Sequence, residues 1–282
     1  MIKWTFITVT YNNSKTLREY WTGDLPSWAE WIVVDNASAD GTAEVATEIG
    51  ATKVIRSSEN LGFGAANNVG LREASGEYIA FTNPDVTVDF DSVDAIARSI
   101  DARGGIVSPQ LINPDGSLQP NGRGLPTLAS KVRNRLSDKF KMPGYQIFAQ
   151  PGEEIEVDWF IGAVVAGRRS TFVELSGWDE KFFLYYEDSD IGLRAWRAGF
   201  SVRLVGQSRW IHGWARETTE FKLDPWKREF ASMAKFYGRY PLLLGPVSLA
   251  RVFFPRAKKN SRRLPWNRKT SGSLQTRHNE AS

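Results

Sequence analysis

The 282-residue chain has no cysteine, which excludes disulfides and thiolate metal sites. Histidine is nearly as scarce. His212 and His278 are the two, so any imidazole ligand or base must be one of them. No apolar run is long enough to cross a bilayer as a helix. No secretory leader pattern is visible around Met1-Ile2-Lys3, and the expectation is a cytoplasmic protein. No G-x-G-x-x-G follows the first strand-like run, so the dinucleotide-binding fingerprint is missing. Acidic residues nearly vanish near the C-terminus. From Ala250 to Ser282 nine Lys/Arg face Glu280 alone, a net +8, while the other 27 Lys/Arg and 31 Asp/Glu leave the rest at −4. The overall +4 therefore describes the tail and not the body, and an acidic body argues against nucleic acid as a partner.

What the chain does have is an ordinary globular balance, 41% hydrophobic and 24% charged, and a regular alternation of patterns. Residues 4–10, 31–34, 52–56, 78–82 and 106–111 read as buried strands. Helical patterns stand between them at 14–21, with Ser14 as N-cap, and at 42–49, 65–74 and 92–103. This rhythm predicts an α/β fold with a mostly parallel central sheet flanked by helices. Beyond residue 111 the rhythm changes. Asn113-Pro114-Asp115-Gly116 signals a turn, and residues 122–151 are rich in Gly, Pro and basic residues, with a short helical pattern at 128–140. Strands are expected at 156–160, 163–166 and 202–205, and helices at 170–175 and 219–237. The organisation expected is a body over 1–215, a helical, apolar extension over 216–254 and a basic, disordered tail over 255–282.

The densest stretch is Phe182-Phe183-Leu184-Tyr185-Tyr186-Glu187-Asp188-Ser189-Asp190. An apolar wall runs into three carboxylates at the start of a helical pattern ending at Gly199. Acids suit any helix N-terminus. Beside so many aromatic rings, desolvation would also raise a carboxylate's pKa and make it a general base. Ligands of open α/β sheets bind outside the carboxyl ends of the strands. Three polar clusters fall there: Thr10-Tyr11-Asn12, Asp35-Asn36 and Asn83-Pro84-Asp85. Each alone reads as a polar turn, and together they outline a crevice. A phosphate-bearing ligand there would need a counter-charge, and Asp85 is a hard oxygen donor for a divalent cation. His212 reads either as a structural histidine or as a second ligand returning to the crevice.

These residues carry a resemblance. Thr8-Val9-Thr10-Tyr11-Asn12, the run from Val33 through Asp35 and Asn36 to Thr42, the run from Asn60 through Gly62-Phe63-Gly64 to Gly70, Asn83-Pro84-Asp85 and Glu187-Asp188 resemble glycosyltransferase family 2 over residues 2–214. Gly177-Trp178-Asp179-Glu180 onward to Arg194 is most similar to its bacterial rhamnosyltransferase and galactofuranosyltransferase branches. The resemblance implies a GT-A fold and an inverting transfer from a dTDP- or UDP-sugar to a hydroxyl of a glycan or lipid-linked glycan. It implies Mn²⁺ or Mg²⁺ on Asp85 and His212, and Asp188 as the base. Thr10, Tyr11, Asp35, Asn67, Asn83 and Asp85 would bind the donor. Trp178, Asp179, Glu187 and Asp190 would support the loop or the acceptor. Asn83 departs from the family, which often has Asp there, so one charge is missing from the metal motif. Two rivals are a sugar-nucleotide pyrophosphorylase, although Tyr11-Asn12-Asn13 lacks its basic Gly-rich loop, and a non-catalytic nucleotide-sugar-binding assembly partner. The apolar residues 242–254 and the tail read either as a packed end with a solvated basic run or as a peripheral anchor on the inner face of an anionic membrane.

Overall fold

The computed structural model describes residues 3–136, 145–213 and 223–254. In chain order the first half contains β1 (Trp4–Thr10), α1 (Ser14–Tyr20), β2 (Ala29–Asp35), α2 (Thr42–Glu48), β3 (Lys53–Arg56), α3 (Phe63–Glu73), β4 (Tyr78–Thr82), β5 (Val86–Thr87), α4 (Val93–Arg103) and β6 (Ile106–Ile112). The second half contains β7 (Gly122–Arg123), α5 (Leu128–Leu136), β8 (Gln146–Ile147), β9 (Glu154–Glu156), β10 (Trp159–Phe160), β11 (Val164–Arg168), α6 (Arg169–Glu174), α7 (Glu187–Arg197), β12 (Val202–His212), α8 (Leu223–Arg239) and α9 (Val247–Phe253).

The main sheet runs β3-β2-β1-β4-β11-β6-β12-β5, with β9 on β12. The pairs β3–β2, β2–β1, β1–β4 and β6–β12 are parallel. β11 is inserted antiparallel between β4 and β6, and β5 and β9 pair antiparallel with β12. The sheet is thus mixed and mostly parallel. A smaller sheet, β10-β7-β8, stands apart. Helices cover both faces, which explains why the central strands read as unbroken apolar runs. Trp4, Phe6, Trp31, Val33 and Ala80 enter one core, and Ile7, Ile32, Val34, Ile79 and Phe81 the other. A third cluster joins Phe182, Tyr186 and Leu193 to Phe236, Tyr237, Tyr240 and Phe254, and so packs α8 and α9 against α7.

Local differences from the sequence reading have identifiable causes. α1 begins at Ser14, with Asn13 before it and no side-chain cap. Its first N–H groups are met from the β2–α2 loop, where Asn13 N donates to Thr42 Oγ1 (2.8 Å) and Ser14 N to Asp40 Oδ2 (3.0 Å). The run 156–160 splits into β9 and β10, which belong to different sheets. β12 continues to His212 because a bulge between Val205 and Arg209 absorbs three extra residues against β6. Gly206 sits there because a Cβ would lie 2.0 Å from Gln150 O. The expected helix at 128–140 is seen over Leu128–Leu136, and residues 137–140 lie outside the described residues. The helix expected at 219–237 is seen over Leu223–Arg239, and residues 219–222 lie outside the described residues, as does the tail 255–282.

Candidate active site

Parallel strands deliver their carboxyl ends to one side. β1 ends at Thr10 beside Asp35 at the end of β2, and Thr10 Oγ1 donates to Asp35 Oδ1 at 3.4 Å. Asp35 is buried, and its Oδ2 accepts from Ser38 N (3.3 Å). Asn12 and Ala37 have φ of 55° and 64°, left-handed values that let the two loops interlock. Asn12 N donates to Ser38 Oγ and Ala39 N to Asn12 Oδ1, each at 2.9 Å. Asn36 extends the chain of loops. Its amide bonds Asn60 Oδ1 (2.9 Å), Gly62 O (3.2 Å) and Leu61 N (2.8 Å). Tyr11 stands half exposed at the rim. Asn67 is buried and donates to Phe63 O, one turn back in α3.

The Asn83-Pro84-Asp85 turn follows β4. Asn83 N donates to Ala163 O (2.8 Å), and Gly213 N donates to Asp85 O (2.8 Å). Pairing of Val86 with His212 then closes β5 on β12 and brings His212 Nε2 to 3.4 Å from Asp85 Oδ1. Gln119, which the sequence reading did not single out, orients that imidazole. Its amide nitrogen donates to His212 O and Asn113 Oδ1, both at 2.7 Å. The carbonyl acceptor fixes which end of the amide is which, so Gln119 Oε1 accepts Nδ1–H at 2.8 Å. The ring therefore presents Nε2 to Asp85. One carboxylate and one imidazole at this spacing could hold a single divalent cation, which would supply positive charge beside a phosphate-bearing ligand. Among the described residues no cluster of three or more His, Asp or Glu forms around them.

The third part is the first turn of α7. Tyr185 and Tyr186 have φ of 69° and 71°, an uncommon conformation for bulky residues that often marks a functional turn. The aromatic loop before them is tied to the glycine bend, since Phe63 N donates to Phe183 O (2.8 Å) and a Cβ on Gly62 would lie 2.4 Å from that oxygen. The three carboxylates then part company. Asp190 is fully buried and accepts from Arg194 Nε (2.6 Å), Arg239 Nη1 (2.8 Å) and Tyr240 Oη (2.8 Å). Glu187 is 6% exposed, and among the described residues its Oε2 has no hydrogen-bond partner. Burial, reinforced by the Asp188 carboxylate beside it, pushes the Glu187 carboxyl up to about 8. Asp188 is half-buried, and its Oδ1 accepts from Ser189 N (2.6 Å) and Ser189 Oγ (3.2 Å). The desolvated acid of the stretch is thus Glu187, the residue that the helix turns inward.

Gly162 lies next to Asp188: a Cβ there would stand 3.6 Å from Asp188 Cβ, an ordinary contact. Beneath the turn, Lys131 of α5 donates to Ser189 Oγ (3.0 Å) and lies over the rings of Tyr186 (3.9 Å) and Trp159 (4.5 Å). Burial draws its ammonium down to about 8, against the pull of Asp188 and Glu187. The Gly177–Glu180 segment is held from α3. Asn68 Nδ2 donates to Trp178 O (2.9 Å) and Glu180 Oε1 (3.0 Å), and its Oδ1 accepts Trp178 N (2.8 Å). Trp178 is buried edge-on against Phe63 and Phe81. Asp179 pairs with Arg239, the same guanidinium that reaches Asp190.

A curated relative, the N-acetylglucosaminyl-diphospho-decaprenol L-rhamnosyltransferase of Mycobacterium tuberculosis, is 31% identical over 206 residues, 66% of this chain and 67% of that protein. Rhamnosyltransferase WbbL of Escherichia coli is 25% identical over 194 residues, 64% of this chain and 72% of the relative. Among solved structures, S. aureus TarS 1-349 in complex with UDP-GlcNAc superposes with a TM-score of 0.57 at 16% identity, covering 90% of this chain and 73% of that one. The mannosyltransferase PcManGT of Pyrobaculum calidifontis, in complex with GDP-Man and Mn²⁺, gives 0.54 at 18%, covering 89% and 78%. These likenesses show a GT-A-like fold. Residues 5–170 match the profile of Glycosyl transferase family 2, and the chain therefore belongs to that family of inverting glycosyltransferases, which move a sugar from a nucleoside-diphosphate donor to an acceptor.

Proposed function

We propose that the chain transfers rhamnose, or a similar sugar, from a dTDP- or UDP-linked donor to a hydroxyl of a lipid-linked glycan in cell-envelope polysaccharide synthesis, on the cytoplasmic side of the membrane. The sugar and acceptor are proposed from the rhamnosyltransferase names of the two relatives. The observation that carries the chemistry is that two groups border one short segment. Ala163 O holds the Asn83 turn that ends in Asp85, and Gly162 abuts Asp188.

In this reading Asp35 and Thr10 meet the nucleotide at the ends of β1 and β2, and Tyr11 and Asn83 flank it. Asp85 and His212 hold a divalent cation, Mn²⁺ or Mg²⁺, which when bound offsets the charge of the departing nucleoside diphosphate. Asp188 accepts the proton of the acceptor hydroxyl as its oxygen bonds to the anomeric carbon. The bond from that carbon to the diphosphate oxygen breaks on the opposite side. One displacement inverts the centre, so one base suffices and no covalent sugar–enzyme intermediate forms. Glu187, neutral and buried, stays out of the proton transfer.

Calorimetric titration of UDP and dTDP, with and without Mn²⁺, tests the donor half. Metal-dependent binding should disappear in Asp85→Ala. Unchanged affinity in that variant, with Mn²⁺ still required, would sink the assignment.

A further inference from the structure

α9 is apolar on two sides. Its inner side, Ala250 and Phe254, is buried, with Phe254 packed on Tyr240 at 5.9 Å between ring centres. Arg251 fastens this side to the body through a bidentate pair with buried Asp158, one contact being Nη2 to Oδ2 at 2.8 Å. Arg197 of α7 closes the seam, stacked 4.9 Å from the rings of both Tyr240 and Phe254. The outer side carries Leu249, Val252 and Phe253, spaced i, i+3, i+4 so that they share one face. They are 48%, 72% and 56% exposed, and Leu244 just before the helix is 54% exposed. Gly245, the residue after Leu244, lies near Leu249, since a Cβ there would stand 3.7 Å from Leu249 Cδ2. Single exposed apolar residues are ordinary, whereas a contiguous face on a firmly anchored helix marks a contact surface.

We propose that this outer face of α9 is a docking surface for an anionic lipid bilayer. The sequence beyond it supplies the matching charge. Five of the nine residues after Phe254 are basic (Arg256, Lys258, Lys259, Arg262, Arg263), and no acid occurs before Glu280. An apolar face followed at once by clustered cations is the combination that binds membrane interfaces, since either part alone holds weakly. A second copy of the chain fits this surface less well, because residues 255–282 carry eight Lys/Arg against one Glu and a dimer would bring two such tails together. No described helix is long and apolar enough to cross a membrane, and the attachment proposed is a peripheral one. A lipid-linked acceptor, as proposed above, would give the docking a use. The docking itself does not depend on that reading and is tested without substrate.

The chain lacks cysteine, so Ser248→Cys on exposed Ser248 is a unique attachment point for an environment-sensitive dye. The full-length labelled protein is mixed with vesicles of phosphatidylcholine alone or with about one-third phosphatidylglycerol. Emission should shift to the blue, and the protein should co-sediment, only with the anionic vesicles and less so in high salt. The exposed-face variant Leu249→Ser/Val252→Ser/Phe253→Ser should melt like the parent and bind at least about tenfold more weakly. Changing Lys258, Lys259, Arg262 and Arg263 to Gln should also weaken binding, by about fivefold for each charge near the surface. Absence of binding by the parent overturns the proposal. So does a triple variant that melts normally and still binds like the parent. Light scattering that finds a parental dimer and a monomeric triple variant, with neither on vesicles, assigns the face to self-association instead.

Discussion

Asp188→Asn is the substitution most directly tied to the reaction. Asp188 Oδ1 is occupied by Ser189 N and Oγ, and the amide oxygen of Asn can accept both bonds. Among the described residues no donor reaches Oδ2, the oxygen that the substitution turns into an NH₂. The variant should therefore fold normally, bind donor normally and lose only the proton acceptor. General-base catalysis is worth about 10²–10⁴-fold, or about 3–5 kcal/mol of barrier, and turnover should fall by that much. Glu187→Gln is the paired control. The Glu187 carboxyl, pushed up to about 8 by burial and by Asp188, holds its proton at neutral pH, where Gln resembles it in shape and charge. Turnover at pH 7 should change by less than about fivefold. Stability carries the opposite signature. A carboxyl raised above its ordinary 4.5 stabilises the fold fully below that value, and the contribution is lost as pH rises through about 8. Glu187→Gln should flatten the decline in unfolding free energy between about pH 5 and 8. Lys131, lowered to about 8 from 10.5, acts above that window. Single-turnover rates and denaturant melts on both variants suffice. A folded Asp188→Asn near the parental rate beside a dead Glu187→Gln would show that the base is misassigned by one residue. Full activity in both would make the turn purely structural.

Two further substitutions probe its supports. Asp190→Asn removes the charge that Arg194, Arg239 and Tyr240 share and should destabilise the fold by about 3 kcal/mol or more in urea melts; a loss under about 1 kcal/mol would contradict the buried-anchor role. Gln119→Leu removes the acceptor of His212 Nδ1–H and should weaken Mn²⁺ binding to the protein–UDP mixture by about 10–100-fold, read by paramagnetic resonance, with the metal-free melt as a folding control. Affinity within twofold of the parent would mean that the ring is oriented by something else.

The sheet was legible because buried strands advertise themselves. Trp4 to Thr10 and Tyr78 to Thr82 are apolar on both faces and stop on polar residues, so the crevice at their ends could be drawn from the sequence alone. Asp85 and His212 were each legible as donor types, and the scarcity of histidine singled out the second. Their approach to 3.4 Å was not readable locally, because it depends on the bulge that carries β12 past Val205 to pair with β5. Gln119 left almost no trace. It follows the turn at Asn113–Gly116, where polar residues ordinarily face water, and nothing in the pattern says that Gln119 and Asn121 are fully buried. Ser14 misled for a related reason. A serine before a helical pattern is a good local cap, and Asp40, distant in sequence, had already taken that work.

The three acids of α7 were the hardest to separate, and helix geometry separates them. At 3.6 residues per turn, Glu187 and Asp190 are three apart and share a side, while Asp188 is turned about 100° from Glu187. The aromatic wall desolvates the shared side, which holds Glu187 and Asp190 but not Asp188. Asp190 meets two guanidiniums and a phenol there. Glu187 meets none of them, so it keeps its proton. Lys131 reaches this turn from α5 through Ser189 Oγ. Asp188, on the other side of the helix, is half exposed. In the proposed reaction it is therefore the one of the three acids open to an acceptor hydroxyl.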